Sequence, residues 1–535
     1  MKKKLKWILP LCLVILIAVG ILAFFLRYRS SGDVLLNQVI TTASETYLLQ
    51  AREVGARQIR LSEGAGSRIT FSPNGRYLAF SHWAEGGFEA LLFDTRHPRR
   101  TLLRLEQSVL ALQPLDDGSL LYLQADCLYR VTKQQTTLLA ENICDLGAVS
   151  GDRQAIYCFR PVEDSSTLCR LRLSDGSIEP LLEHADASTL QVVQGDDGQD
   201  IVICAQAFTY EFPAYDAVHD SLAEADAAST DEAAQARNAL RTRLKEKILT
   251  STGRNVWRIV GGKRQLLAEA VQETYFCDPI TGILVYRHCH PFAAPIEIET
   301  LREAYIPDSM QWHFSLLGAE FTPPELDRAF SAEPQFSGDG QVAVLMPTAL
   351  YLWQAENGTF GAPEVMTDLA QDFCLLRRED GGSCIYYKTS SGLLRRYDGS
   401  QDFILSTNVL SAHLPCRVLP DGTRQLIDDM VYVITYAETG LRRETLPAAT
   451  MSQMINYRPR ATTLYLVAPN GVKTVVANIS NNLLKTLAAL PDGSMLAESG
   501  PFYIVGENRT DRLRLRYQSY SIRAAWSATE LLTLQ

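Results

Sequence analysis

The chain has 535 residues, with 61 acidic and 51 basic side chains and a formal charge of −10 at pH 7. Its 46% hydrophobic and 21% charged content is that of an ordinary folded protein and excludes a disordered tail. The acidic balance argues against a nucleic-acid partner, which would require a basic face, and the length admits several average domains or one repeat-built body.

Lys2, Lys3, Lys4 and Lys6 precede an uncharged run over residues 7–26, and Arg27 and Arg29 follow it. About 20 apolar residues suffice to cross a bilayer as a helix. The run also exceeds the core of a cleaved signal peptide, roughly 7–15 residues. The four lysines outweigh the two arginines, so the sequence predicts a single-pass signal anchor in the cell membrane. Residues 1–6 are expected in the cytoplasm and the bulk of the chain outside it. Residues 27–43 read as a juxtamembrane linker and 44–535 as the exported body.

Residues 68–105 hold four short apolar runs separated by polar or Gly-containing gaps. Four strands in about 40 residues is the size of one β-propeller blade. Asp, Asn and Gly clusters recur at 73–75, 116–118, 150–152, 196–198, 337–340, 379–381, 420–422 and 491–493. Asn and Asp tolerate left-handed backbone and Gly adopts it freely, so each cluster marks a hairpin. Several of the following runs, such as 120–123, 155–159 and 342–346, are apolar on both faces, which suits strands packed between neighbouring blades. The spacing predicts about eight four-stranded blades, with seven to ten compatible.

The segment Phe71-Ser72-Pro73-Asn74-Gly75-Arg76-Tyr77-Leu78-Ala79-Phe80 resembles the WD40-like repeat of TolB-type β-propellers. In that repeat a Phe-Ser-Pro-Asp-Gly-like turn leads into a Tyr-Leu-Ala-Phe-like strand. Phe336-Ser337-Gly338-Asp339-Gly340 and Leu419-Pro420-Asp421-Gly422 keep reduced forms of the turn. The resemblance implies an all-β propeller and favours protein–protein contact in an envelope assembly. At the ends, 46–51 and 57–61 read as two strands and 521–526 and 530–534 as two more. Together they predict one blade completed from both termini, which would hide two sheet edges.

Two insertions, 207–250 and 288–333, interrupt the rhythm. The first opens with Phe208, Tyr210, Phe212 and Tyr215. It continues through the capping box Ser229-Thr230-Asp231-Glu232 into Ala236, Leu240, Leu244 and Ile248 at four-residue spacing, which predicts a helix. The second carries Trp312, His313 and Phe314. If both insertions leave one face, these aromatic residues would line a ligand cleft over the central channel. The alternative is that they pack the insertions onto the ring.

His288 and His290 flank Cys289. Continued strand alternation would put both imidazoles on one face about 7 Å apart. They form a weak zinc or copper pair that needs a third ligand such as His313, and no cofactor is assigned on this basis. Cys158 and Cys169 flank a hairpin turn, as do Cys374 and Cys384, and either pair could face each other. The alternative for these thiols is that of small buried hydrophobes.

No Gly-x-Ser-x-Gly elbow, Walker A loop or dinucleotide fingerprint occurs. The expected function is a membrane-anchored extracytoplasmic scaffold that binds a protein or cell-envelope polymer, with no catalytic residue named. The alternative is a glycan hydrolase or lyase with its site in the central channel, which requires carboxylates from several blades to converge.

Overall fold

The computed structural model describes residues 31–213, 248–289, 311–436 and 461–534, apart from short gaps at 43, 55, 85–86, 164, 327–329, 348, 368–369, 379, 430, 469–470, 479–484, 499–501, 507–508, 514–520 and 527–528. The expected anchor and its cytoplasmic tail lie outside these residues, as does the helix expected within 214–247. The protein is all-β, and no helix occurs among the described residues.

Among the described residues hydrogen bonding groups the strands into nine sheets, most of them four-stranded and antiparallel throughout. The largest divides at a single parallel bridge, Arg377↔Gln425, into two arrays. The resulting ten arrays follow the chain at 31–62, 66–105, 111–141, 145–182, 185–271, 276–321, 335–367, 370–406, 409–478 and 485–513. The first and ninth also take up the last two strands of the chain.

Packing between arrays follows from strand alternation, because successive side chains point to opposite faces. In Tyr77–Ala84, Leu78 and Phe80 join Val39 and Leu48 of the first array, while Tyr77 and Ala79 join Leu120 and Tyr122 of the third. The same two-sided burial repeats at Ile283–Tyr286: Leu284 and Tyr286 face the fifth array, and Ile283 and Val285 face the seventh. Ten such clusters link each array to the next. The circle closes where Leu36 and Leu49 of the first array meet Leu490, Leu496 and Ile504 of the tenth. A closed cycle of small antiparallel sheets packed face to face is a β-propeller.

The turns between first and second strands hold one another at one end of the ring. Asn74 N–H donates to Asp116 Oδ1 at 3.0 Å, and Gly151 N–H to Asp200 Oδ1 at 2.9 Å. Arg258 Nε donates to the Pro279 carbonyl at 2.9 Å. Gly118 has φ of +82°, and a Cβ there would stand 3.0 Å from the Tyr77 ring, so both backbone and packing call for glycine.

The ends of the chain depart from expectation in two ways. Ser31–Thr41, read as linker, is a strand paired with both Thr46–Val54 and Ser521–Trp526. The last strand, Thr529–Leu534, joins Val409–Val418 of the ninth array instead of the terminal sheet. The strand Ser31–Thr41 takes the place in the terminal sheet expected for 530–534. The termini therefore close two arrays, not one.

Candidate functional site

The turn Leu419-Pro420-Asp421-Gly422 reaches across the ring at the end where the first turns meet. The Pro420 carbonyl accepts from Gln194 N–H of the fifth array at 3.0 Å. Asp421 Oδ2 pairs with Arg377 Nη1 of the eighth array at 3.2 Å. A cavity of about 520 Å³ lies beside this turn, lined by Gln194, Asp196, Arg377, Arg378, Asp421 and Gln425 among others. Asp421 Oδ1 also accepts from Thr423 N–H at 2.9 Å and Thr423 Oγ1 at 2.6 Å, so its carboxylate is fully engaged in shaping the turn. Burial raises the Asp278 carboxyl above its ordinary range, an effect that the charge of Asp421 reinforces.

The opposite end carries the connections between second and third strands. Residues 214–247 join Asp200–Pro213 to Ile248–Val260, and 290–310 lie between Ile283–Tyr286 and His313–Leu316. Both occupy the second-to-third position of their sheets, so both leave from the same end of the ring. On the hairpin between Tyr77–Ala84 and Gly87–Asp94 of the same end, Trp83 is 65% exposed and Phe88 40%. Their rings meet edge to face with centroids 4.8 Å apart.

The aromatic residues expected to line a cleft divide between surface and core. Phe208 is 37% exposed, with its ring 6.4 Å from that of His184. Trp312 and Phe314 are 4% and 0% exposed and belong to the core between the sixth and seventh arrays. Trp312 stacks on Phe330 at 4.1 Å, and Arg287 covers it with its guanidinium carbon 4.5 Å from the ring centroid. Phe314 meets Trp353 and Phe360 edge to face. These two rings thus fasten the base of the second insertion to the sheets, the packing role weighed as the alternative. Tyr215 lies outside the described residues, as do the side chains of Tyr210 and Phe212.

His288 and His313 come together across the strand pair Ile283–Tyr286 and His313–Leu316. Alternation sends Tyr286, His288 and His313 to one face, and Arg287 and Trp312 to the other. The imidazole centroids are 4.7 Å apart, and each ring packs on Tyr286. Glu320, from the adjacent strand Ala319–Phe321, places Oε1 2.9 Å from His313 Nδ1 and 3.4 Å from His288 Nε2. Thr322 Oγ1 also lies 2.9 Å from His313 Nδ1. His290, the partner suggested by local alternation, lies outside the described residues. Glu320 carried no sequence signal, because only strand pairing brings it to the two histidines.

No protein-family model matches the chain, and no curated protein matches it. Among solved structures it is similar to TolB from Acinetobacter baumannii, at 13% identity and a TM-score of 0.28, covering 54% of this chain and 62% of that one. The chain thus spans less than two thirds of that TolB. It is similar to the dihydro-heme d1 dehydrogenase NirN at 10% identity and a TM-score of 0.34, covering 94% and 77% of the two chains. An oligogalacturonate lyase from Vibrio parahaemolyticus matches at 9% identity and a TM-score of 0.29, covering 89% and 98%. Likeness at these scores carries no argument of its own, so the fold rests on the closed cycle of sheets and cores. The chain is a β-propeller whose solved neighbours include TolB.

Proposed function

We propose that the chain is a binding scaffold, held outside the cytoplasmic membrane by a helix over residues 7–26. In this reading each of the ten arrays is one blade, the upper end of the range that the repeat spacing allows. The ring presents a protein or cell-envelope polymer with the face from which residues 214–247 and 290–310 depart. The observation that carries the reading is the shared exit of both insertions at the end where Trp83 and Phe88 stand exposed. Exposed large aromatic residues are typical anchors of protein interfaces, since they offer area at low entropic cost. The test is crosslinking and affinity capture from intact membranes, comparing the full chain with a variant lacking residues 215–248. Loss of specific partners in the variant supports the reading, and an unchanged partner set overturns it. A C-terminal reporter active only in the cytoplasm would overturn the extracytoplasmic address.

A second reading, a carbohydrate-active enzyme, draws on the cavity at the opposite end. There Asp196 and Asp421 from two arrays meet Arg377 and Arg378 from a third. In this reading Arg377 and Arg378 exchange their present partners, Asp421 and Asp380, for the carboxylates of an acidic polysaccharide. Degradation of such a polymer by the full chain, abolished by Arg378→Ala, would favour this reading over the scaffold.

A further inference from the structure

We propose that His288, His313 and Glu320 form a zinc-binding site at the base of the segment 290–310. The three donor groups lie within 4.8 Å of one another. A tetrahedral zinc with ligands at about 2.0–2.1 Å needs donor-to-donor distances of about 3.3 Å. The two measured edges, 2.9 Å from Glu320 Oε1 to His313 Nδ1 and 3.4 Å to His288 Nε2, bracket that value. The third edge, between the two imidazole nitrogens, is no longer than 4.8 Å, so binding draws the two rings together while the exposed Glu320 carboxylate follows.

The donor chemistry favours a transition-metal ion over calcium or magnesium. Two imidazoles and one carboxylate suit zinc, whereas calcium and magnesium prefer oxygen-only sets. The surroundings suit it as well. Arg287, the nearest cation in sequence, is committed to the face of Trp312 on the other side of the strand, so its charge is turned away from the three donors. Gln272 Nε2 donates to the His288 carbonyl at 2.8 Å, and Val271 bridges His288, which holds that backbone in place. Tyr286 lies against both imidazoles and keeps them on one face of the strand pair. Outer contacts of this kind orient metal ligands.

Three protein donors leave a fourth position open. Structural zinc sites fill all four positions from the protein, whereas sites with three keep one for water or an incoming group. His288 and His313 also bracket the segment 290–310 in sequence. Zinc would therefore tie together both ends of an insertion on the face that carries the other one. A metal clip of this kind stabilises by closing a loop.

The test is titration of the full-length chain, purified in mild detergent and stripped with EDTA, with zinc chloride against a chromophoric chelator. One equivalent of zinc is expected to bind, with at least a tenfold loss of affinity in Glu320→Gln and in His288→Asn, since even outer-shell changes cost about 10–100-fold. Cobalt in place of zinc should give a visible d–d band without thiolate charge transfer, which separates this site from the ten body cysteines. Zinc should raise the thermal midpoint of the parent chain but not of the variants. His97→Ala, at an exposed histidine remote from the site, should bind as the parent does. The exposed Glu320→Gln keeps the test interpretable if the His288 variant fails to fold. Equal zinc affinity in the parent and Glu320→Gln, or cobalt spectra of thiolate type, would overturn the site.

Discussion

His413 and Thr533 stand 120 residues apart in sequence, and the imidazole Nδ1 lies 3.1 Å from the threonine Oγ1. The contact locks the last strand onto Val409–Val418 and buries the imidazole almost completely. Ser411 Oγ, 3.0 Å from Nε2, meets the other ring nitrogen.

Burial lowers the His413 pKa from 6.5 to about 4. Between those values the unfolded chain binds a proton that the folded chain does not. Stability is therefore fully present above about pH 6.5, falls as the pH drops, and has lost this contribution near pH 4. The loss is on the order of 3 kcal/mol. Thermal unfolding followed from pH 7 to pH 4 should show this slope, and His413→Gln should flatten it relative to the parent. An identical slope in both proteins would remove His413 as its source.

Closure by the C-terminus predicts a second outcome. Leu534 is fully buried in the core between the eighth and ninth arrays. Leu534→Ala should cost about 2–5 kcal/mol, as for other large-to-small core changes. Deleting residues 521–535 should cost more, because it also exposes the edges of Ser31–Thr41 and Val409–Val418. Denaturant titration measures both, and unchanged stability after the deletion would contradict the pairing.

The hairpin turns are legible from local sequence. Asn74-Gly75, Asp117-Gly118 and Asp421-Gly422 place glycines at φ of +68°, +82° and +83°, which the turn chemistry anticipates. The strand Ser31–Thr41 was hidden because Asn37 and Gln38, buried on opposite faces, interrupt its apolar residues Leu36, Val39 and Ile40. Asn37 is satisfied there by Gln50 Nε2 at 2.7 Å, a partner that only the fold supplies. The histidine cluster was half legible. Alternation joined His288 to His290 with His313 as a third ligand, and strand pairing brings His313 to His288 across 24 intervening residues, whereas Glu320 had no local signal. Trp312 and Phe314 look the same in sequence whether they line a cleft or fill a core, and burial decides for the core.

A glycine of the turn at 337–340 packs against Thr423, next to the turn that crosses the ring. Gly338 has φ of +78°, and a Cβ there would stand 2.3 Å from Thr423 Cγ2. Gly338→Ala should therefore destabilise by about 1–3 kcal/mol from backbone strain alone. The clash should also displace the Leu419–Asp421 wall of the cavity. Combining it with Thr423→Ser removes the clashing methyl and should recover part of the loss in a double-mutant cycle.

At the opposite end, Trp83 contributes little to the folded state because most of its surface faces solvent. Trp83→Ala should change stability by no more than about 0.5 kcal/mol. If this face binds the partner, the same variant should reduce crosslinked complexes in membranes. Reduced capture at unchanged stability separates an interface role from a structural one, and unchanged capture would remove Trp83 from the interface.

The cysteines give the last test. Cys158 and Cys169 sit directly opposite each other in adjacent strands, whereas Cys374 and Cys384 are offset, pairing with Tyr386 and Leu376. All four are buried as free thiols. Burial pushes the thiols of Cys158, Cys204 and Cys384 up to about 12, so at pH 8 almost none of each is the reactive thiolate. Brief iodoacetamide treatment of the native chain should leave these three unmodified while reaching the exposed Cys144. Treatment in denaturant should label all of them. Export to an oxidising compartment would select Cys158 and Cys169 over Cys374 and Cys384 for cross-linking, because only the first pair lies in register. Mass spectrometry of the unreduced, membrane-extracted chain distinguishes the two states. A peptide pair two hydrogens lighter, joined at Cys158 and Cys169, would mark the oxidised form, and full labelling of both after denaturation alone would mark them as packing groups of the core.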